Sequence, residues 1–340
     1  MMRGHAMHQE MHEQPSVLAR IADHAGVVRA EVSATVPSRL DGAVLVGRGS
    51  SDNAAVLGRY LIELAARRPA GLAAPSLHTR YDATVDFRGY LAIALSQSGN
   101  TEEVVETCES MRAAGARVIG ITNSDTSRLA TSCDLLLLTG AGEEAAIPAT
   151  KTVTAEMALL LVVASAIGDR RLGAEALGAV PAAVSEILEE VEGPRALAAS
   201  WATHDRCLVS ARGILYAAAL ETALKIKETS RVLAEGISIA DLRHGPIAAV
   251  DATLPVLGMD GGPPFAIDNR DLLATVASLG APVASCAPRK EAALAMPGGL
   301  PEALYAILAT VRGQQLAYEL SLARDLDPDQ PPGLTKVTQA

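Results

Sequence analysis

The chain has 340 residues, of which 49% are hydrophobic and only 3% aromatic, and its formal net charge is −10. The length points to about two domains. The acidic balance argues against a nucleic-acid surface, which needs a basic stripe, but leaves room for an anionic substrate in a locally positive pocket.

The opening "MMRGHAMHQEMHEQ" is polar and carries His5, His8 and His12. Helical spacing would let the three histidines meet on a metal, but the expectation is a flexible leader over residues 1–15 and no metal. Strand-length apolar runs then alternate with helical patterns. "AVLVG" (43–47), "YLAIAL" (90–95), "RVIGITN" (117–123) and "LLLLT" (135–139) read as buried strands. Helices are expected over 53–68, 101–114 and 152–167. Continuous Val/Ile/Leu strands separated by helices indicate a parallel sheet covered on both faces, a doubly wound α/β layout. The first such domain is placed at residues 16–172 and a helical connection at 173–198.

The pattern then repeats. "DGAVLVGRGSSDNAAVLGRYLIELA" (41–65) lies over "HDRCLVSARGILYAAALETALKIKE" (204–228), with Arg48-Gly49 on Arg212-Gly213. "ATLPVLGM" (252–259) and "APVASCA" (281–287) supply further strands, with helix 269–280 between them and a long helix near 300–325. The second domain is therefore placed at 199–325, followed by a Pro- and Asp-rich tail at 326–340. Cys108, Cys133, Cys207 and Cys286 form no C-x-x-C unit and read as buried thiols. No uncharged apolar run reaches the ~18 residues of a membrane span. The start lacks a basic-then-apolar signal, so the cytoplasm is the expected compartment.

In open α/β sheets, ligands collect beyond the carboxyl ends of strands. "GRGSSDN" (47–53) and "SQSGNT" (96–101) are polar turns at such ends. In the second, Ser96, Ser98 and Thr101 supply hydroxyls, Gly99 leaves backbone amides open, and the following helix start offers N–H donors. That suits a phosphate; the competing reading is a cap formed by Asn100 with Glu103. Gly47-Arg48-Gly49 is no dinucleotide fingerprint. In "ALKIKETS", Lys225 and Glu228 share one helix face, either as a solvated surface or as a base and its tuning lysine. His244 sits in a constrained loop before Gly245-Pro246, and Lys336 lies in the tail. Lys151 stands at a helix start, where the dipole disfavours a cation, so a local partner is expected.

Together these segments resemble the sugar isomerase (SIS) family, in its tandem two-domain form. That form includes the isomerase half of glucosamine-6-phosphate synthase and the stand-alone glucosamine-6-phosphate deaminases. The resemblance rests on Gly47-Arg48-Gly49-Ser50-Ser51, "LSQSGNT", "ATK" (149–151), "ALKIKE" (223–228), "RHGP" (243–246) and "GLTKVTQ" (333–339), in the family's order. It implies two flavodoxin-like domains. It also implies that Ser96, Gln97, Ser98 and Thr101 bind a sugar phosphate. Gly49, Ser50, Ser51 and Ala149 would then contact the sugar. Glu228 matches the acid/base that moves a proton between C1 and C2, and Lys225 and Lys336 match two active-site lysines. His244 matches a ring-opening residue that reaches in from a neighbouring subunit, which implies a homodimer. The family's serine before Thr-Lys is replaced by Ala149, and its second Gly-Arg-Gly by Ala211-Arg212-Gly213.

The synthase reaction needs a glutaminase domain with a nucleophilic cysteine at its start, which this sequence lacks. The expected reaction is deamination of glucosamine 6-phosphate to fructose 6-phosphate and ammonia, with no metal or redox cofactor, no nucleic acid and no membrane. Alternatives are another sugar-phosphate isomerase, a fructosamine-6-phosphate deglycase, or a non-catalytic sugar-phosphate regulator.

Overall fold

The computed structural model describes residues 3–81, 83–168 and 174–336. Val337, Thr338 and Gln339 of the C-terminal motif lie outside them. Two compact units emerge, each built on its own sheet. One comprises Ser16–Glu143 and Lys151–Gly178; the other comprises residues 3–15, Glu144–Thr150 and Ala179–Lys336. Glu144–Thr150 thus groups with the second sheet, not with the 16–172 stretch in which the sequence places it.

The chain opens with α1 (His5–Thr35), a single helix of 31 residues. The expected flexible leader is corrected here. Met7, Met11, Gln14, Leu18 and Ile21 recur at alternating spacings of four and three and are all buried, the stripe that fixes a helix by packing and not by propensity. Pro15 lies inside it.

The first sheet unit continues with β1 (Gly42–Val46), α2 (Ser50–Ala66), β2 (Ala70–Leu72), α3 (Pro75–Thr79), β3 (Tyr90–Leu95) and α4 (Glu102–Ala113). Then follow β4 (Arg117–Thr122), α5 (Arg128–Ser132), β5 (Leu135–Leu138) and α6 (Lys151–Ile167). All strands run parallel in the order β2-β1-β3-β4-β5. The order reverses between β1 and β3, so the crevice for a ligand lies between the turns that follow those two strands. α6 is buried all round from Lys151 to Ser165, as expected of a core helix.

The second unit holds α7 (Val180–Glu189), α8 (Glu192–Trp201), β6 (Arg206–Ala211), α9 (Tyr216–Ser230), β7 (Leu233–Ser238) and α10 (Ile239–Arg243). It continues with β8 (Val256–Met259), α11 (Ala266–Ser278), β9 (Val283–Ala287), β10 (Leu294–Ala295) and α12 (Glu302–Ala323). Its sheet is also parallel, in the order β10-β9-β8-β6-β7. Renumbered from its own first strand, that is the same 2-1-3-4-5 order, so the repeat seen in the sequence is a repeat of topology. β2 and β10 escape the sequence reading because two or three residues are too few to set a strand pattern, and β7 because Glu235 and Gly236 interrupt its apolar run. Among the described residues no helix is long and apolar enough to cross a membrane. Cys108, Cys207 and Cys286 are buried, and burial pushes each thiol up to about 12.

Helix α9 is positioned by α12. A Cβ on Gly313 would overlap the Thr222 side chain, so the two helices approach as closely as glycine permits. Substitution Gly313→Ala is expected to cost about 1–3 kcal/mol by overpacking, and the double substitution with Thr222→Ala to recover part of that. Thermal unfolding of the single and double variants checks this.

Candidate active site

The turn after β3 is a closed, internally bonded loop. Ser96 is buried, and its Oγ accepts from Gly99 N–H at 3.1 Å while lying 3.0 Å from Thr101 Oγ1. Gly99 has φ 66°, and a Cβ there would strike the side chains of Ser127 and Thr122. The Gln97 carbonyl accepts from Asn123 N–H at 3.1 Å and from Thr122 Oγ1 at 3.2 Å. Ser98 Oγ accepts from Asn100 N–H at 3.2 Å. These bonds fix the loop ahead of the first N–H groups of α4, and a helix start of this kind favours an anion.

The Asn100–Glu103 cap is not formed. Thr101 is the residue before α4, Asn100 Oδ1 accepts from Arg128 N–H at 3.0 Å, and Glu103 pairs with Arg48 at 2.6 Å. On the other side of the crevice, Gly49 precedes α2 with φ 59°. Ser51 Oγ donates to the buried Glu156 on α6 at 2.9 Å. Lys151 has the expected local partner: its Nζ donates to the Glu143 carbonyl.

The second unit holds the charged cluster. Lys225, on α9, is 1% exposed and lies between two carboxylates of its own helix, Glu221 at 3.5 Å and Glu228 in direct contact. Burial pulls against its charge, but Glu221 and Glu228, with Glu144 further off, outweigh burial and hold the ammonium above its ordinary value. Glu221 is fully buried, whereas Glu228 keeps 21% of its side chain exposed. The pair is therefore a shielded cation holding a carboxylate that still reaches solvent.

Lys336 joins the same cluster. Its Nζ donates to Glu144 Oε2 at 3.0 Å and to the Ala146 carbonyl. The other Glu144 oxygen accepts from Thr150 N–H at 3.0 Å. Glu10 of α1 accepts from the amides of Ala145 and Ala146. Burial pushes Glu10 up to about 7, opposed by those amides and Lys336 and reinforced by Glu144.

The SIS domain family matches residues 41–166 and 202–293. The chain belongs to the SIS domain family. Its SIS relatives include the glutamine–fructose-6-phosphate aminotransferase (isomerizing) of Gloeobacter violaceus. That protein is 33% identical over 361 residues, covering 98% of this chain and 58% of the relative. The chain thus spans little more than half the length of the curated relatives it matches. In fold it is similar to the C-terminal domain of glucosamine-fructose-6-phosphate aminotransferase from Francisella tularensis. There the TM-score is 0.84 at 24% identity, over 96% of this chain and 98% of that one. It is also similar in fold to glucosamine-6-phosphate deaminase from Thermotoga maritima, with TM-score 0.75 at 24% identity over 98% and 100% of the two chains.

Within this SIS chain the structure gathers Ser96, Gln97, Ser98 and Thr101 in one loop of the first unit, with Gly49, Ser50 and Ser51 at the neighbouring strand end. It gathers Lys225, Glu228 and Lys336 around Glu144 in the second unit, where Ala149 also belongs. His244 follows α10, is exposed, and makes no side-chain hydrogen bond or ion pair among the described residues. Among those residues no group of three or more His, Cys, Asp or Glu side chains is placed to hold a metal. His8 and His12 stack on each other instead, with ring centroids 4.3 Å apart. Sequence reasoning missed Glu10, Glu144, Glu156 and Glu221. Of these only Glu221 carried a signal, four residues before Lys225 on the same helix face.

The raised Glu10 sets a pH dependence. The folded state takes up a proton between the ordinary carboxylate range and about 7, so this contribution to stability is present at low pH and lost as pH rises through about 7. Between about pH 5 and 8, the melting temperature of the wild type is expected to fall more than that of Glu10→Gln. Parallel melting curves across that range would contradict it.

Proposed function

We propose that this chain is a phosphosugar aldose–ketose isomerase that acts on an amino sugar, converting glucosamine 6-phosphate and water to fructose 6-phosphate and ammonia. The observation that carries it is Glu228, partly exposed and held by a buried lysine. A carboxylate fixed in place but open to solvent on one side fits a proton shuttle between adjacent carbons. The hydroxyl-bearing loop at 96–101, which leads into the start of α4, fits the substrate phosphate. The SIS relatives named for fructose 6-phosphate, and the fold neighbour named for glucosamine-6-phosphate deamination, support the same substrate class.

In this reading Ser96, Gln97, Ser98 and Thr101 anchor the phosphate, and Gly49, Ser50, Ser51 and Ala149 line the sugar. His244, contributed by the second subunit of a homodimer, assists opening of the ring. Glu228 takes the C2 proton of the open-chain aldehyde, leaving an enolamine, and returns a proton to C1. The product carries a C1 alcohol and a C2 imine. Water adds to the imine carbon, the C–N bond breaks, and ammonia leaves behind the C2 ketone. Lys225 fixes the Glu228 carboxylate throughout, and the phosphate anchor holds the carbon chain so that one group serves both carbons.

The test is ammonia release from a panel of amino sugar phosphates, with Glu228→Gln as control. Release is expected from glucosamine 6-phosphate, with a fall on the order of a hundredfold or more in kcat for Glu228→Gln and little change in KM. Release from none of the panel, or near-normal turnover by Glu228→Gln, would refute the reading.

A further inference from the structure

The two acceptors of the Lys336 ammonium belong to Glu144 and Ala146, which flank Ala145 in the chain. The amides of Ala145 and Ala146 are both taken by one oxygen of Glu10. Fixing those two amides fixes the segment from which both acceptors project. The tail itself is fastened to the same helix. Ala6 and Met7, in the first turn of α1, donate their amides to the Asp329 carboxylate at 2.9 and 2.8 Å. Gly4 N–H donates to Asp327 at 3.0 Å, and Arg3 pairs with Asp325. The Asp329 carbonyl in turn accepts from Ile147 N–H at 3.2 Å. Helix α1 therefore grips the tail before Lys336 with its first turn, and the segment that receives Lys336 with its second.

Glu10 is only 4% exposed. A carboxyl group buried that deeply is costly to retain, and its bonds go to backbone amides of the lysine-binding segment. We propose that Glu10 is a positioning residue for Lys336, acting through the backbone of residues 144–146 to hold the tail lysine at the site. The inference rests on the reading of Lys336 as an active-site lysine, but its geometry does not depend on which reaction is run. It assigns α1 a part in the site, as the support for a group that arrives from the far end of the chain.

The test uses the full chain, with wild type, Glu10→Gln and Glu10→Ala compared. Lys336 is probed with pyridoxal 5′-phosphate followed by borohydride, and modification is read by peptide mass mapping with the exposed Lys290 as internal control. An amine held as an ammonium between Glu144 and Ala146 reacts slowly; released, it reacts faster. Labelling of Lys336 is expected to rise roughly tenfold in Glu10→Ala, the factor that corresponds to about 1.4 kcal/mol of lost hold. Glu10→Gln keeps the acceptor oxygen but not the charge, and is expected between the two. Labelling of Lys290 should not change. In parallel, kcat for ammonia release should fall on the order of tenfold or more with KM nearly constant, as for a misplaced group.

Lys336 labelling equal to wild type in folded Glu10→Ala would overturn the proposal. Should Glu10→Ala fail to fold, Glu10→Gln decides it: wild-type labelling together with wild-type kcat would overturn it. Should the wild type release no ammonia, the assigned reaction falls, while the labelling result still decides the role of Glu10.

Discussion

The structure turns on one ammonium group withdrawn from water. Lys225 lies in the interior of the second unit, and a lone charge there would cost several kcal/mol of lost solvation. Glu221, one helical turn earlier, and Glu228, nearly one turn later, supply the compensating charge from the same helix. A buried pair of this kind adds little to net stability, but removing one partner is strongly destabilising. The lysine therefore pins Glu228 at the edge of the cluster, where one side of the carboxylate meets solvent. That asymmetry distinguishes Glu228 from the fully buried Glu221.

The surrounding architecture serves that placement. α9, which carries the buried lysine, packs against α12, and at Gly313 the Thr222 side chain leaves no room for a Cβ. The parallel sheets put their polar turns at strand ends, where side chains leave the core. In the first unit this places Gly49, Ser51 and the Ser96–Thr101 loop around the point where strand order reverses. The proposed phosphate anchor contains no lysine or arginine and draws on its hydroxyls and the start of α4. In the second unit Glu144 and Lys336 come from segments far apart in the chain, and short backbone hydrogen bonds set their meeting.

The buried strands were legible because a strand covered on both faces must be apolar along its length, as in "YLAIAL". The repeat was legible because two copies of one topology place the same turn at the same strand end. The first helix was misread. Its core stripe is built from Met7, Met11 and Gln14 among histidines and glutamates, so composition hid a periodicity that was present. Lys225 and Glu228 could be paired by spacing, but burial decides between a solvated face and a reactive pair, and burial is a property of α12. Glu10 and Glu144 carried no signal in the sequence, since the amides Glu10 holds and the lysine Glu144 holds lie more than a hundred positions away. His244 stays as the motif alone leaves it, exposed and without a partner among the described residues.

The central claim is that Glu228, held by Lys225, carries a proton between neighbouring carbons of a sugar phosphate. Solvent exchange reads this step directly, in the reverse direction. Fructose 6-phosphate and an ammonium salt are incubated with the protein in deuterium oxide, and the C1 protons are followed by proton NMR. Deuterium should enter at C1 with the wild type and not with Glu228→Gln. Exchange at equal rates in both, or in neither, would contradict the account.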